Sequence, residues 1–331
     1  MDVRSFLGRA DGIEGIAAEV ASHWGGLSRP KLIAFRENLV FAAEAPAGRV
    51  VVRVHRPGYQ SEDTIRSELW YMAALAEAGL PVPDPLRTAG GEMVARLSNG
   101  LVASTMTWLD GVVLEASPHR QSGDADALAL IYANLGELLA RVHETSARLQ
   151  RPSWFVRPRW QRDDLVGAAP VWGRFWEHAN LTADEAAVLG EARTYLTEKL
   201  KSFEGDLSCA CLIHADVLRE NVMCRGTDVA LIDFDDCGFG FRHYDLGIVL
   251  MQNTGDAALR PFVNQLVDGY ARVSPVTPRH VEMIEVFALA RALVSVGWTS
   301  TRLPQTDRRN RRYIERATAM ARTVLAGRRL F

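Results

Sequence analysis

The chain has 331 residues, 48% of them apolar and 24% charged, with a formal net charge of −2 at pH 7, the mix of a globular protein with an ample core in one large or two smaller domains. That balance offers no global field for nucleic acid or an anionic membrane, and no apolar run approaches the ~20 residues of a membrane-crossing helix. Four cysteines build no disulfide framework, and Met1-Asp2-Val3-Arg4 opens no signal-peptide core, so a cytoplasmic location is expected.

In chain order, residues 10–24 predict a short amphipathic helix that stops near Gly25-Gly26. Residues 31–44 and 49–55 predict two strands joined by a turn at Ala45-Pro46-Ala47-Gly48. The run Val50-Val51-Val52-Arg53-Val54 is nearly continuous and β-branched, as a central strand requires. Ser61 predicts an N-cap, Glu62 and Asp63 suit the positive end of a helix, and Ile65, Leu69, Met72 and Leu75 recur at helical spacing. Gly79 and the prolines at 81, 83 and 85 end that helix. Strands follow around 92–96 and 101–108, then a break at Asp110-Gly111. Leu128, Ile131, Leu135, Leu138 and Val142 mark a long buried helix, and nearly everything after 160 reads as helix except 207–235. In that segment Cys209 and Cys211 alternate on a strand and read as buried thiols, since no second ligand pair has metal-site spacing. The expected architecture is α+β and bilobal. A β-rich N-lobe over 1–110 carries one main helix, and a mostly helical C-lobe spans 111–331, with a hinge near 108–112.

The chemistry concentrates in the exception. An apolar strand, Leu212-Ile213, runs into His214-Ala215-Asp216, and Asn221 stands five residues after that Asp. A hairpin turn at Arg225-Gly226-Thr227 follows, and a second apolar strand delivers Asp233 twelve residues after the Asn. Phosphoryl transfer asks for such parts. Magnesium neutralises the transferring group and takes oxygen ligands from one or two side chains plus the nucleotide phosphates, while a separate carboxylate orients the attacking hydroxyl and accepts its proton. Asp216 is the candidate for the hydroxyl, Asn221 and Asp233 for the metal. His214 reads as a residue that packs and holds the loop. The surrounding stretch 204–256 carries ten carboxylates against three arginines, whereas 280–331 carries ten arginines against four acids. The plainer alternative is an Asp- and Asn-rich turn closing a β-hairpin, which needs no apolar strands entering and leaving at these offsets.

These residues resemble the aminoglycoside phosphotransferase and choline-kinase-like branch of the protein-kinase fold, a group that includes a homoserine kinase and a bacterial stress-response Ser/Thr kinase. The likeness runs from Phe35-Arg36-Glu37-Asn38 to Tyr244-Asp245-Leu246-Gly247 and includes Val52-Arg53-Val54-His55-Arg56-Pro57-Gly58-Tyr59 and Ile232-Asp233-Phe234-Asp235-Asp236. It implies a protein-kinase-like fold with ATP and Mg²⁺ chemistry. Arg53 stands where the family places a phosphate-contacting Lys, and Glu68, fifteen residues on, matches the acid that pairs with it. Arg for Lys is a departure, because a planar fork reaches differently from an ammonium. The alternative for the two is a structural ion pair. The stretch Ala34–Asn38 lacks the glycines of a protein-kinase phosphate loop. It leaves phosphates to backbone N–H groups and to Asn38 or Arg36, or is an ordinary hairpin tip. Met106 and Trp108 match the hinge beside adenine, or are core. Asp245 resembles the buried Asp that braces the catalytic loop. Asp235 takes the place of the Gly in Asp-Phe-Gly; with Asp236 it offers charge for a substrate ammonium, or caps the next turn.

The expected activity is transfer of the γ-phosphoryl group of ATP to a hydroxyl of a small molecule: an amino alcohol, a hydroxy amino acid or an antibiotic-like acceptor. Trp154, Trp160, Trp172 and Trp176 fall where they wall such a site or fill the core. No nucleic-acid or membrane partner is expected, and the chain is a monomer or a homodimer. Two alternatives stand beside this reading, a Ser/Thr protein kinase of the stress-response type and a nucleotide-binding pseudokinase.

Overall fold

β-branched runs, helix caps and glycine stops divide the chain into the elements seen in the structure, a computed structural model that describes residues 12–35, 38–205, 210–254 and 256–331. The chain forms two compact units, one comprising residues up to Asp110 together with Leu149–Arg157, the other comprising Gly111–Arg148 and Pro158–Phe331.

The first unit is built on a six-stranded sheet. Helix α1 (Gly12–Trp24) precedes β1 (Lys31–Phe35), β2 (Leu39–Ala45) and β3 (Gly48–Val54), and the hairpin from β2 to β3 pairs Val40 with Arg53. The segment read as one strand over 31–44 is two strands. Arg36 and Glu37, part of the expected phosphate-covering loop, lie outside the described residues, as does Cys209. After α2 (Glu62–Glu77), β4 (Pro85–Leu86), β5 (Ala95–Arg96) and β6 (Val102–Thr107) complete the sheet in the order β1-β2-β3-β6-β4, with β5 beside β6. Strand β3 is central, which is why its valines at 50, 52 and 54 are buried. Helix α2 begins as its sequence predicts: the Ser61 hydroxyl accepts the Thr64 amide at 3.2 Å. The unpredicted strand of this sheet is β4. Its Pro85 pairs with Met106 at the edge of the sheet, where a missing N–H costs least.

The second unit is mainly helical and carries two small sheets. Strand β7 (Val112–Val113) pairs with β10 (Val222–Arg225), which pairs with β11 (Asp228–Leu231) through the two-residue turn Gly226-Thr227. Gly111 is required at the start of β7: its φ is +135°, and a Cβ there would stand 2.4 Å from the Cys224 carbonyl oxygen. The other sheet sets β9 (Ala210–Ile213) and β8 (Arg159–Trp160) on either side of β12 (Gly238–Phe241). Strand β12 corrects the expectation that residues beyond 235 are helical, and residues 167–182 form turns and a single 3₁₀ turn instead of regular helix. The long helices are α3 (Ala125–Arg148), α4 (Ala183–Phe203), α5 (Arg242–Asn253), α6 (Phe262–Ala271), α7 (Pro278–Arg302) and α8 (Arg308–Leu325). Helices α4 and α7 open on Thr caps, Thr182 accepting the Glu185 amide and Thr277 accepting the His280 amide. Helices α3 and α6 meet backbone to backbone, since a Cβ on Gly136 would fall 1.9 Å from the Leu266 carbonyl oxygen and one on Gly269 equally close to that of Ala133. Cys211, Cys224 and Cys237 are free, buried thiols. Burial pushes Cys211 up to about 12 and Cys224 up to about 11. No helix among the described residues is long and apolar enough to cross a membrane.

Candidate active site

In the second unit, β9 ends at Ile213 and hands the chain to a loop held from beneath. Asp245, fully buried in the first turn of α5, accepts the amides of His214 (2.9 Å) and Ala215 (2.7 Å). Such a carboxylate is tolerated because its partners are satisfied as well. The His143 Nε2–H donates to it at 3.0 Å, and His143 Nδ1 takes the Tyr270 hydroxyl at 3.0 Å. Burial holds the His143 pKa below its ordinary value, so the ring is neutral, as these two bonds require. Held this way, Ala215 takes φ +64°, a conformation costly for a residue with a Cβ. The turn aims Asp216 away from the strand.

His214 closes the loop from the other side. Its Nδ1 accepts the Asp216 amide at 3.2 Å and its Nε2–H donates to the Ile232 carbonyl at 3.0 Å. Its ring lies 4.4 Å from that of the buried Phe234. Both nitrogens are committed, so His214 is a brace and Asp216 is the candidate base the loop presents.

The Asp216 carboxylate is fixed at both oxygens. Asn221 Nδ2 donates to Oδ2 at 2.8 Å and to the Asp216 carbonyl at 2.9 Å. Arg291 Nη2 bonds Oδ1, while its Nη1 reaches the Ala215 carbonyl at 3.1 Å. Arg291 comes from mid-α7, is 4% exposed, and lies with its guanidinium 4.5 Å from the Trp172 ring centroid. Sequence reasoning missed Arg291; the signal was a single cation inside the apolar run Phe287-Ala288-Leu289-Ala290-Arg291-Ala292-Leu293-Val294. Each carboxylate oxygen has a second lone-pair direction, so a hydroxyl proton can still be accepted.

The Ile232 amide donates to the Asn221 backbone carbonyl at 3.0 Å, which sets Asp233 one residue beyond the partner of Asn221. Asp233 is exposed and also takes φ +64°. Since both side-chain bonds of Asn221 use its nitrogen, its carbonyl oxygen faces away from Asp216 and suits a hard cation. Among the described residues no cluster of three His, Cys, Asp or Glu could hold a metal by itself. A two-oxygen protein share fits magnesium, which keeps waters and phosphate oxygens as its remaining ligands. Asp235 and Asp236 are half-buried one turn further on, and Trp160 Nε1 holds the Asp236 carbonyl at 2.8 Å. Burial, then the carboxylate of Asp216, push the Asp236 pKa up to about 7. Of the four tryptophans, Trp160 and Trp172 are core, packed edge to face at 5.1 Å; Trp176 stacks under Arg193, and Trp154, in the first unit, is exposed.

The first unit holds the remaining candidates. Arg53 Nη2 meets Glu68 Oε1 at 2.5 Å with side chains 7% and 0% exposed, so the expected pair is present and buried. Asn38, just ahead of β2, is engaged beyond the end of β3: its Oδ1 accepts the Arg56 amide at 3.1 Å. Met106 is buried in β6 between Val51 and Pro85. The Trp108 amide donates to the Arg49 carbonyl at 3.1 Å and its ring stacks 3.6 Å from the Arg49 guanidinium. Of the backbone groups of the expected hinge, the Trp108 amide is thus engaged with Arg49.

Comparison with known proteins agrees with this geometry. The sequence profile described as "Phosphotransferase enzyme family" matches residues 32–281. Amicoumacin kinase of Bacillus subtilis (strain 168) is 21% identical over 90% of this chain and 88% of its own length. Homoserine kinase of Sinorhizobium medicae (strain WSM419) is 27% identical over 78% of this chain and 74% of its own length. The solved structure of a microcompartment-associated aminopropanol kinase superposes with a TM-score of 0.80 at 25% identity, covering 96% of this chain and 100% of that one. Fold and relatives agree on ATP-dependent phosphoryl transfer to a hydroxyl group of a small molecule. The chain belongs to the phosphotransferase enzyme family.

Proposed function

We propose that the acceptor is a small alcohol carrying an ammonium group, an amino alcohol or a hydroxy amino acid, phosphorylated at the expense of Mg·ATP. The observation that carries this is the Asp216 carboxylate, fixed by Arg291 and Asn221, with the acidic pair Asp235 and Asp236 close behind it. Asp216 orients the acceptor hydroxyl and takes its proton as the new O–P bond forms. Asn221 and Asp233 would hold the magnesium ion, which neutralises charge on the phosphoryl group when bound. In the first unit, Arg53 held by Glu68 is the cation offered to the nucleotide phosphates. Asp236, raised by burial, is kept ionised by an ammonium brought beside it. The names of relatives acting on aminopropanol and homoserine support this acceptor class. A polycationic antibiotic is less favoured because residues 280–331 carry ten arginines against four acids. The protein-kinase reading is less favoured because the chain passes from Asp233 through β12 directly into α5, with no room for a peptide platform.

The test is ADP release from the purified protein with ATP and Mg²⁺ across amino alcohols, hydroxy amino acids, isosteric uncharged alcohols and aminoglycosides. Amine-bearing acceptors should be preferred, Asp236→Asn should raise their KM, and Asp216→Ala should lower kcat by about 10²- to 10⁴-fold, the usual contribution of a general base. Equal turnover of charged and uncharged alcohols would overturn the acceptor class.

A further inference from the structure

The second unit carries an open cleft of ≈ 660 Å³ that the phosphotransfer chemistry does not use. Six arginines line it: Arg120, Arg219, Arg260, Arg312, Arg316 and Arg329. Three carboxylates line it too, and their charges are already spoken for. Glu115 receives Arg219 Nε at 2.7 Å and lies 3.5 Å from Arg120; Asp256 lies 3.8 Å from Arg120. Glu315 pairs with Arg311, outside the lining, at 3.2 Å, and Arg329 pairs with Glu285. Among the described residues no carboxylate forms an ion pair with Arg260, Arg312 or Arg316; Glu220 is only a more distant electrostatic neighbour of Arg316.

Arg316 is the most telling of the three. It is half-buried, and its Nη1 donates to the Met251 sulfur at 3.1 Å, a weak acceptor for a guanidinium. Burial, then Arg312 across one helical turn, lower its pKa, as does Arg219, and these outweigh the opposing pull of Tyr313 and Glu220. Since arginine does not give up its proton in a protein, this describes a positive charge held in an unfavourable place. An uncompensated cation cluster in a concave site is stable when an anion completes it.

We propose that this cleft binds a small phosphorylated molecule with at least two negative charges, seated against Arg260, Arg312 and Arg316. The volume lies in the range of small-molecule sites, which are on the order of 300–1,000 Å³. Guanidinium forks match phosphate oxygens in pairs, and phosphate brings the charge that three open cations require. Arg219 ties the cleft to the active loop: it lies between Asp216 and Asn221 in sequence, with its amide on Gln252 Oε1 at 2.7 Å.

Calorimetric titration of the full chain with inorganic pyrophosphate in EDTA tests this, because binding there is read without turnover or divalent metal. One site should be seen, tighter than for orthophosphate and weakening steeply with salt. Arg312→Gln/Arg316→Gln should lower the affinity at least tenfold. Arg260→Gln/Arg312→Gln, confined to exposed positions and so safe for folding, should lower it several-fold with an unchanged Tm. Absence of binding at millimolar pyrophosphate overturns the proposal. So does binding that both double variants leave unchanged, which would place pyrophosphate at the nucleotide site.

Discussion

Arg291 decides how the candidate base is presented, because it is the charged donor on one of the two Asp216 oxygens. Arg291→Met removes that donor while keeping the apolar contact with Trp172. A hydrogen bond to a charged group is worth about 1.5–3 kcal/mol. The loss should therefore appear as a fall in kcat of about 10- to 100-fold, with the nucleotide KM nearly unchanged in steady-state assays. A purely structural Arg291 would lower Tm and leave the kcat of the folded fraction intact. Asp236 gives a second prediction, with a sign. Its folded pKa of about 7 stands above its unfolded value of 3.8, so the folded state binds more protons between these limits. Stability from this residue is therefore lost as pH rises from about 4 to about 7. In EDTA, the Tm advantage of Asp236→Asn over the parent should widen across that interval. A constant gap would mean that Asp236 ionises freely.

At the scale of elements, glycines of opposite kind separate packing from propensity. Gly269 in α6 is in contact with the backbone of α3, and any Cβ there forces the two helices apart. Gly269→Ala should destabilise by about 1–3 kcal/mol or more, the usual cost of overpacking, read as a lower midpoint in urea. Gly190 lies inside α4 with nothing within 4 Å of a Cβ. Gly190→Ala should stabilise by about 0.4–1 kcal/mol, since alanine has less freedom to lose. The elements were legible where local chemistry is decisive. Ser61 and Gly79 bound α2, valine repetition marks β3, and Gly226 turns the β10–β11 hairpin, all readable without tertiary knowledge. The short strands β4, β8 and β12 were not legible, because two to four residues carry no periodicity and pair only when distant segments arrive. The same holds at the site. Asp216, Asn221 and Asp233 are close in sequence and were readable as a pattern. Arg291, Trp172 and His143 reach the loop from helices and turns 44 to 75 residues away from Asp216, and only packing reveals them.

Across the whole molecule, both units bury neutral imidazoles. His55 in the first unit is held well below its ordinary 6.5 by burial and then by Arg53, and His143 in the second is lowered by burial. A histidine with a depressed folded pKa contributes stability above about 6.5 that is lost as pH falls through the unfolded value. Thermal stability should therefore fall between pH 6.5 and 5, before most carboxylates titrate. His55→Gln, which can keep a bond to Ser104, should flatten that loss; an unchanged slope would exclude His55 as a source. This acid limb runs opposite to the Asp236 contribution over the same interval, so the two partly offset one another there.

Three sequestered sulfhydryls among the described residues of the second unit give the chain an internal clock. A thiol at 211 or 224 with so high a pKa is almost wholly protonated near neutrality, and it meets an alkylating reagent only when the surrounding helices part. Pulse alkylation followed by peptide mass mapping would thus time the opening of β9 at Cys211, β10 at Cys224 and the approach to β12 at Cys237 separately, with no engineered label.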